Sequence, residues 1–307
     1  MPTRRSILTQ LGILGLIGGG AWLVRDLVIF PAPRPRFPAG QAQWMPFART
    51  DLSLITAVAG LGGKVVNAVV DSGAQFTSVD RAFVEREGLT RGISFPMMAL
   101  GVGGGGQVAH SVSVDLELGG VQMPGLRAAA LDLTGVSEAL GQDVALIIGF
   151  DVLSTVLADL DFPRRRFRLA DPRHAPRPPG GYDAPVHRSG RALIAEATLQ
   201  DMPVQLLVDT GSTGFVGISL ETAQAAGIAD REGRQGKSVV LGGVTDSKVV
   251  VADRFEFAGV VAHDIDVPII EMPNTPGFPK GLMGVEALRR HHVLMDAGAG
   301  KMRLYPA

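Results

Sequence analysis

A chain that repeats itself can adopt only those folds that one unit builds twice, and this chain repeats itself. Val69-Val70-Asp71-Ser72-Gly73-Ala74 returns 138 residues later as Leu207-Val208-Asp209-Thr210-Gly211-Ser212. A short helical stretch ending in glycine follows each copy, at 82–88 and 221–227. Leu116-Glu117-Leu118-Gly119-Gly120-Val121 matches Phe255-Glu256-Phe257-Ala258-Gly259-Val260, and Ile147-Ile148-Gly149 matches Leu282-Met283-Gly284. Asp161, Phe167 and Leu169 then match Asp296, Met302 and Leu304. The blocks keep their order while their offset drifts only between 135 and 139 residues, so the chain is a duplication.

Within each unit the hydrophobic pattern is that of short strands with few helices. Strands are predicted over 53–58, 64–70, 108–118 and 165–169, with partners at 192–199, 203–208, 247–257 and 301–305. Helices are predicted over 80–87, 151–156, 220–226 and 285–290. The expected fold is mainly β, a barrel-like lobe built twice. At 307 residues the chain also has the length of two domains, at about 150 residues each. Proline-rich runs mark the boundaries, because proline fixes φ and removes a backbone donor. They divide the chain into a spacer over 31–50, a first lobe over 51–170, a linker over 171–190 and a second lobe over 191–307.

Residues 1–30 have a different character. Arg4 and Arg5 precede an apolar run over 11–24, the layout of an export signal with a twin-arginine look. The run is shorter than the roughly 20 residues of a full span, but apolar character resumes at 27–30. The expectation is therefore an export signal or an N-terminal anchor. The body would then be periplasmic or tethered to the inner membrane through residues 7–30. With 29 basic against 30 acidic residues there is no electrostatic footprint for nucleic acid. The absence of cysteine removes disulfides, thiolate metal sites and cysteine nucleophiles.

The repeated apolar-apolar-Asp-Ser/Thr-Gly string carries the chemistry. The apolar pair anchors a strand, so Asp71 and Asp209 emerge from rigid elements. Gly73 and Gly211 are expected to permit a tight turn at φ values that other residues avoid. Ser72 and Thr210 have hydroxyls able to bond across to the sister loop. Two such turns brought together place two carboxyls about 3 Å apart, where they share one proton. One then serves as base toward water and the other as acid toward a carbonyl oxygen.

On these motifs the chain resembles the aspartic protease clan, and within it the bacterial retropepsin-like proteins, over residues 52–307. Asp71 and Asp209 fall where that family has its catalytic aspartates. The runs at 147–153 and 282–288, each an apolar-apolar-Gly strand leading into a helix, look like its second signature. The resemblance implies two tandem lobes about a pseudo-twofold axis, a protein or peptide substrate and no cofactor. Retropepsins usually obtain the second aspartate by dimerising; here one chain holds both, which implies a monomer. Pepsin-like flaps carry a tyrosine, whereas the two tyrosines here, Tyr182 and Tyr305, lie in the linker and near the end. The flap candidates are glycine-rich: Gly103, Gly104 and Gly105 in one copy, Gly242 and Gly243 in the other.

Other features have plainer readings. His291-His292 and His263-Asp264-Ile265-Asp266 lack a metal-ligand spacing and are expected in solvated loops. Arg164-Arg165-Arg166 is placed in a hairpin turn. Phe76 and Phe215 could line a cleft, with core packing the better reading. The expectation is an exported aspartic endopeptidase. The alternatives are an inactive peptide-binding or scaffold protein on the same fold, and a subunit whose aspartates pair in trans.

Overall fold

In a computed structural model the described residues are 10–11, 30–38, 43–49, 51, 53–89, 96–100, 106–174, 178–240, 243–273 and 278–306. Most of the leader and the glycines Gly103, Gly104, Gly105 and Gly242 lie outside them.

The duplication holds strand for strand. The first repeat forms a sheet in the order Thr56–Leu61, Lys64–Val70, Leu146–Ile148, Ser78–Asp80, Val121–Leu131, Gly106–Leu118 and Pro96–Leu100. The second repeat follows the same order: Ala192–Leu199, Met202–Val208, Gly281–Met283, Val216–Ile218, Val260–Ile269, Gly243–Phe257 and Gly233–Val240. Both sheets curl shut at the same place. Gly60 and Leu61 pair with Glu117 and Leu116, while Thr198 and Leu199 pair with Glu256 and Phe255. Closing a sheet this way leaves few free strand edges.

A third sheet belongs to both repeats. Its six strands run Tyr182–Asp183, Lys301–Pro306, His291–Asp296, Leu157–Asp161, Arg166–Ala170 and Met45–Pro46. The junction between the repeats is the pairing of Leu157–Asp161 with His291–Asp296. Met45–Pro46 from the spacer and Tyr182–Asp183 from the linker take the two edges, where a proline costs no ladder bond. One apolar core runs through both barrels and this shared sheet, from Phe47 and Phe167 to Phe255 and Met295.

Helices are short, and two of them start on side-chain caps. The Phe83 N–H donates to Asp80 Oδ2 at 3.0 Å, opening the helix Arg81–Arg86, and the Thr222 N–H donates to Ser219 Oγ at 3.1 Å, opening Leu220–Ala225. The helix expected over 151–156 is a single turn, Phe150–Leu153, and its sister is a 3-10 turn, Val285–Ala287. The strand expected over 53–58 begins at Thr56, although Ile55 O still accepts from the Val70 N–H (2.9 Å).

Three expectations about charged residues are corrected. His263, Asp264, Ile265 and Asp266 lie within the strand Val260–Ile269 and not in a loop. His291 and His292 are not in a loop but on the strand His291–Asp296; His291 is buried, and His292 bonds Asp159 across the repeat junction. Arg166 lies in a strand rather than a turn. With Arg164 it pairs with the buried Asp161, and with Arg168 it stacks on the Trp44 ring.

Candidate active site

Each catalytic candidate sits where its strand ends. The Asp71 N–H donates to Ile148 O and the Asp209 N–H to Met283 O, both at 2.9 Å. The apolar-apolar-Gly runs thus clamp the two loops in register. Gly149 and Gly284 then have no room for a side chain: a Cβ at Gly149 would lie 2.5 Å from the Phe76 carbonyl carbon, and one at Gly284 would strike the Gly214 oxygen.

Across the pseudo-twofold axis, the loops hold each other by reciprocal bonds. Ser72 N–H donates to Thr210 Oγ1 (2.9 Å), and Thr210 N–H donates to Ser72 Oγ (3.1 Å). Each hydroxyl in turn donates to the backbone of the other repeat, Ser72 Oγ to Val208 O (2.7 Å) and Thr210 Oγ1 to Val70 O (2.8 Å). All four groups are buried, so each bond satisfies a group that water cannot reach.

Gly73 and Gly211 are required for a reason other than the expected one. Neither has a positive φ. Each lies against the opposite carboxyl: a Cβ on Gly73 would be 2.7 Å from Asp209 Cγ, and one on Gly211 would be 2.6 Å from Asp71 Cγ. Only a residue without a side chain lets the two aspartates approach.

They do approach, each carboxyl seated against the glycine of the opposite loop. Both side chains are buried, Asp71 at 0% exposure and Asp209 at 1%. Burial raises both pKa values, and the charge of Asp71 raises that of Asp209 further. The pair is not symmetric. Asp71 Oδ1 accepts from the Gly73 N–H (2.8 Å) and the Ala74 N–H (3.2 Å), whereas Asp209 Oδ1 accepts from Gly211 N–H at 2.9 Å. Ser212, at the position of Ala74, directs its N–H to Asp209 O instead. Two amide donors favour the ionised form of Asp71, so the negative charge rests there and the proton on Asp209. Asp71 Oδ2 is buried and accepts no hydrogen bond from the described residues.

Asp151 lies in the second signature run, but its role as a support is set by the fold. Buried behind the first loop, it accepts from Thr77 N–H (2.9 Å), Thr77 Oγ1 (2.8 Å) and Val152 N–H (2.9 Å), while burial pushes its pKa up to about 6. The matching positions of the second repeat are Phe215 and Glu286, so this clamp exists once. Phe76 and Phe215 pack in apolar clusters. Gly243 is described only as the base of a hairpin, opposite Val240. Among the described residues no group of three or more acidic or histidine side chains could hold a metal ion, and no helix is long and apolar enough to cross a membrane.

The chain is similar over 127 residues, at 29% identity, to DNA damage-inducible protein 1 of Yarrowia lipolytica; the match covers 41% of this chain and 29% of that protein. Among solved structures, basic 7S globulin from soybean aligns over 87% of this chain and 95% of its own, at 11% identity and TM-score 0.48. A retropepsin-like aspartic protease from Rickettsia conorii aligns over 41% of this chain and 89% of its own, at 16% identity and TM-score 0.32. The family model for aspartyl proteases matches twice, over residues 57–152 and 195–287, one match for each repeat and its aspartate. With both repeats matched, this chain belongs to the aspartyl protease family.

Proposed function

We propose that the chain is an aspartic endopeptidase that acts as a single chain outside the cytoplasm and cleaves peptide bonds through Asp71 and Asp209. The observation that carries this reading is the close approach of two buried carboxyls, each against the glycine of the opposite loop, with the loops locked by four reciprocal bonds. A pair splayed apart would have favoured a binding protein instead.

The asymmetry of the pair sets the roles. Asp71, carrying the charge, takes a proton from water as its oxygen attacks the scissile carbonyl carbon. Asp209, carrying the proton, donates it to the carbonyl oxygen. The tetrahedral diol then collapses: the C–N bond breaks, the leaving nitrogen takes the proton held by Asp71, a diol hydroxyl returns a proton to Asp209, and the new acid and amine depart. Only the singly protonated pair can perform both transfers, so the pair titrates as one unit. The substrate is a peptide or protein. The leader over 1–30 would export or tether the enzyme; this is a proposal from the sequence alone.

The test is substitution of Asp71→Asn and Asp209→Asn separately, with cleavage of a proteome-derived peptide library as the readout. Each should lose activity by about 10³-fold or more while folding normally, as loss of acid–base catalysis requires. Retained cleavage in the double variant would overturn the mechanism.

A further inference from the structure

The turn that carries the linker into the second repeat leans on the first repeat. Val186–Ser189 pairs with Ala192–Leu199 in a hairpin whose two tip residues are Gly190, at φ 58°, and Arg191. Two cations of this hairpin lie over first-repeat rings. The Arg191 guanidinium carbon is 4.5 Å from the Phe76 ring centroid, and that of Arg188 is 5.6 Å from the Phe150 centroid. Both rings are buried; Phe76 belongs to the catalytic loop, five residues past Asp71, and Phe150 to the turn that follows Gly149. Arg188 is itself fixed, since its Nε donates to Gly190 O and its Nη1 to Gly298 O, both at 2.9 Å.

The ring under Arg191 sits on a loop that is tightly bonded from behind. The Phe150 N–H donates to Ala74 O (2.7 Å), the Gly149 N–H to Thr77 Oγ1 (3.1 Å), and Thr77 to Asp151. Ala74 supplies the N–H that gives Asp71 its second donor. The positive charge of Arg191 also favours the ionised form of Asp151, so it is felt behind the loop as well as at the ring. The two repeats differ here in both partners at once. At the 138-residue offset Phe76 falls on Gly214 and Arg191 on Ser53, so the second loop has neither the ring nor the cation. The brace therefore runs one way, from the second repeat onto the loop of Asp71, and that is the loop whose aspartate has two amide donors.

We propose that Arg191 is a positioning residue for peptide cleavage: by holding Phe76 from the other repeat, its guanidinium keeps the Asp71 loop closed with the Ala74 N–H on Asp71 Oδ1. The inference rests on the endopeptidase reading of the aspartate pair. The Ser72–Thr210 lock holds this loop only at its start, next to Asp71. Arg191 holds it farther along, so the alignment of the base depends on how the linker hairpin docks. Packing alone needs only the apolar stem of the side chain, whereas a cation over a ring face adds an attraction that the stem lacks.

The experiment compares the full chain with Arg191→Met, Arg191→Lys, Phe76→Leu and the Arg191→Met/Phe76→Leu double variant on a quenched-fluorescence peptide that the wild type cleaves. Values of kcat and KM are read separately, with urea midpoints as the check on folding. Arg191→Met keeps the stem and loses the cation; it should lower kcat about tenfold at unchanged KM, less than the roughly 10²-fold that a full ångström of misplacement costs. Arg191→Lys, which keeps a cation over the ring, should lie between Arg191→Met and wild type. The double variant should be no slower than Phe76→Leu alone, because the ring through which Arg191 acts has gone. Wild-type kcat in Arg191→Met, a rise in KM at unchanged kcat, a loss in Arg191→Lys as large as in Arg191→Met, or additive losses in the double variant would overturn the proposal. If Arg191→Met does not fold, Phe76→Leu decides: unchanged kcat overturns the proposal, and a tenfold loss at unchanged KM upholds it. A folded wild type that cleaves no peptide would instead remove the endopeptidase reading, and this proposal with it.

Discussion

Thr210→Val tests whether the reciprocal lock between the loops holds the two repeats together. Valine matches threonine in shape, so no cavity opens and the change removes only the hydroxyl. The Ser72 N–H then loses its acceptor and Val70 O loses its donor, both in a fully buried setting. A buried polar group left unpaired costs about 1–3 kcal/mol, so two cost roughly 2–5 kcal/mol. Against a total stability of roughly 5–15 kcal/mol this is a large fraction. At about 2–4 °C per kcal/mol for a chain near this size, the midpoint of thermal unfolding should drop by roughly 5–15 °C. Urea unfolding followed by Trp44, which stacks on Arg166 and Arg168 in the shared sheet, would give the free energy directly. Thr210→Ser is the control: it keeps the oxygen and gives up one methyl, worth about 0.8 kcal/mol. The reasoning fails if Thr210→Val lies within about 0.5 kcal/mol of wild type, or if Thr210→Ser is as damaging.

Three further outcomes follow from the same geometry. Gly73→Ala and Gly211→Ala each put a Cβ within 2.7 Å of the opposite carboxyl carbon, which must retreat by several tenths of an ångström; kcat should fall on the order of 10²-fold in folded protein, measured by peptide cleavage with circular dichroism as the check. Because burial raises the pKa of both aspartates above 3.8, the folded state binds more protons than the unfolded state. Their contribution is therefore present at low pH and lost as pH rises through the raised values, so Asp71→Asn should gain stability relative to wild type as urea midpoints are compared from acidic to alkaline pH. Finally, activity per mole should not change on dilution through the micromolar range, whereas residues 52–169 and 190–307 expressed apart should be inactive, since each lacks half of the shared sheet.

The sequence alone determined the duplication, the aspartate at each strand end and the apolar-apolar-Gly partner strands. These follow from local pattern, because alternation of side chains and turn chemistry depend on residues a few places apart. It could also bring Asp71 and Asp209 together, since two equal units with equivalent motifs imply a symmetry axis. What it did not contain was the reason for Gly73 and Gly211. Their constraint comes from a carboxyl on the other repeat, and local reasoning assigned them a turn conformation instead. His292 was misplaced for the same reason: a histidine pair without metal spacing looks solvated until the strand holding it lies beside Asp159. Asp151 gave no signal of its supporting role, because its burial depends on the Thr77 loop folding over it. Only the packing of strands more than 100 residues apart, which decides what each side chain faces, made the shared sheet visible.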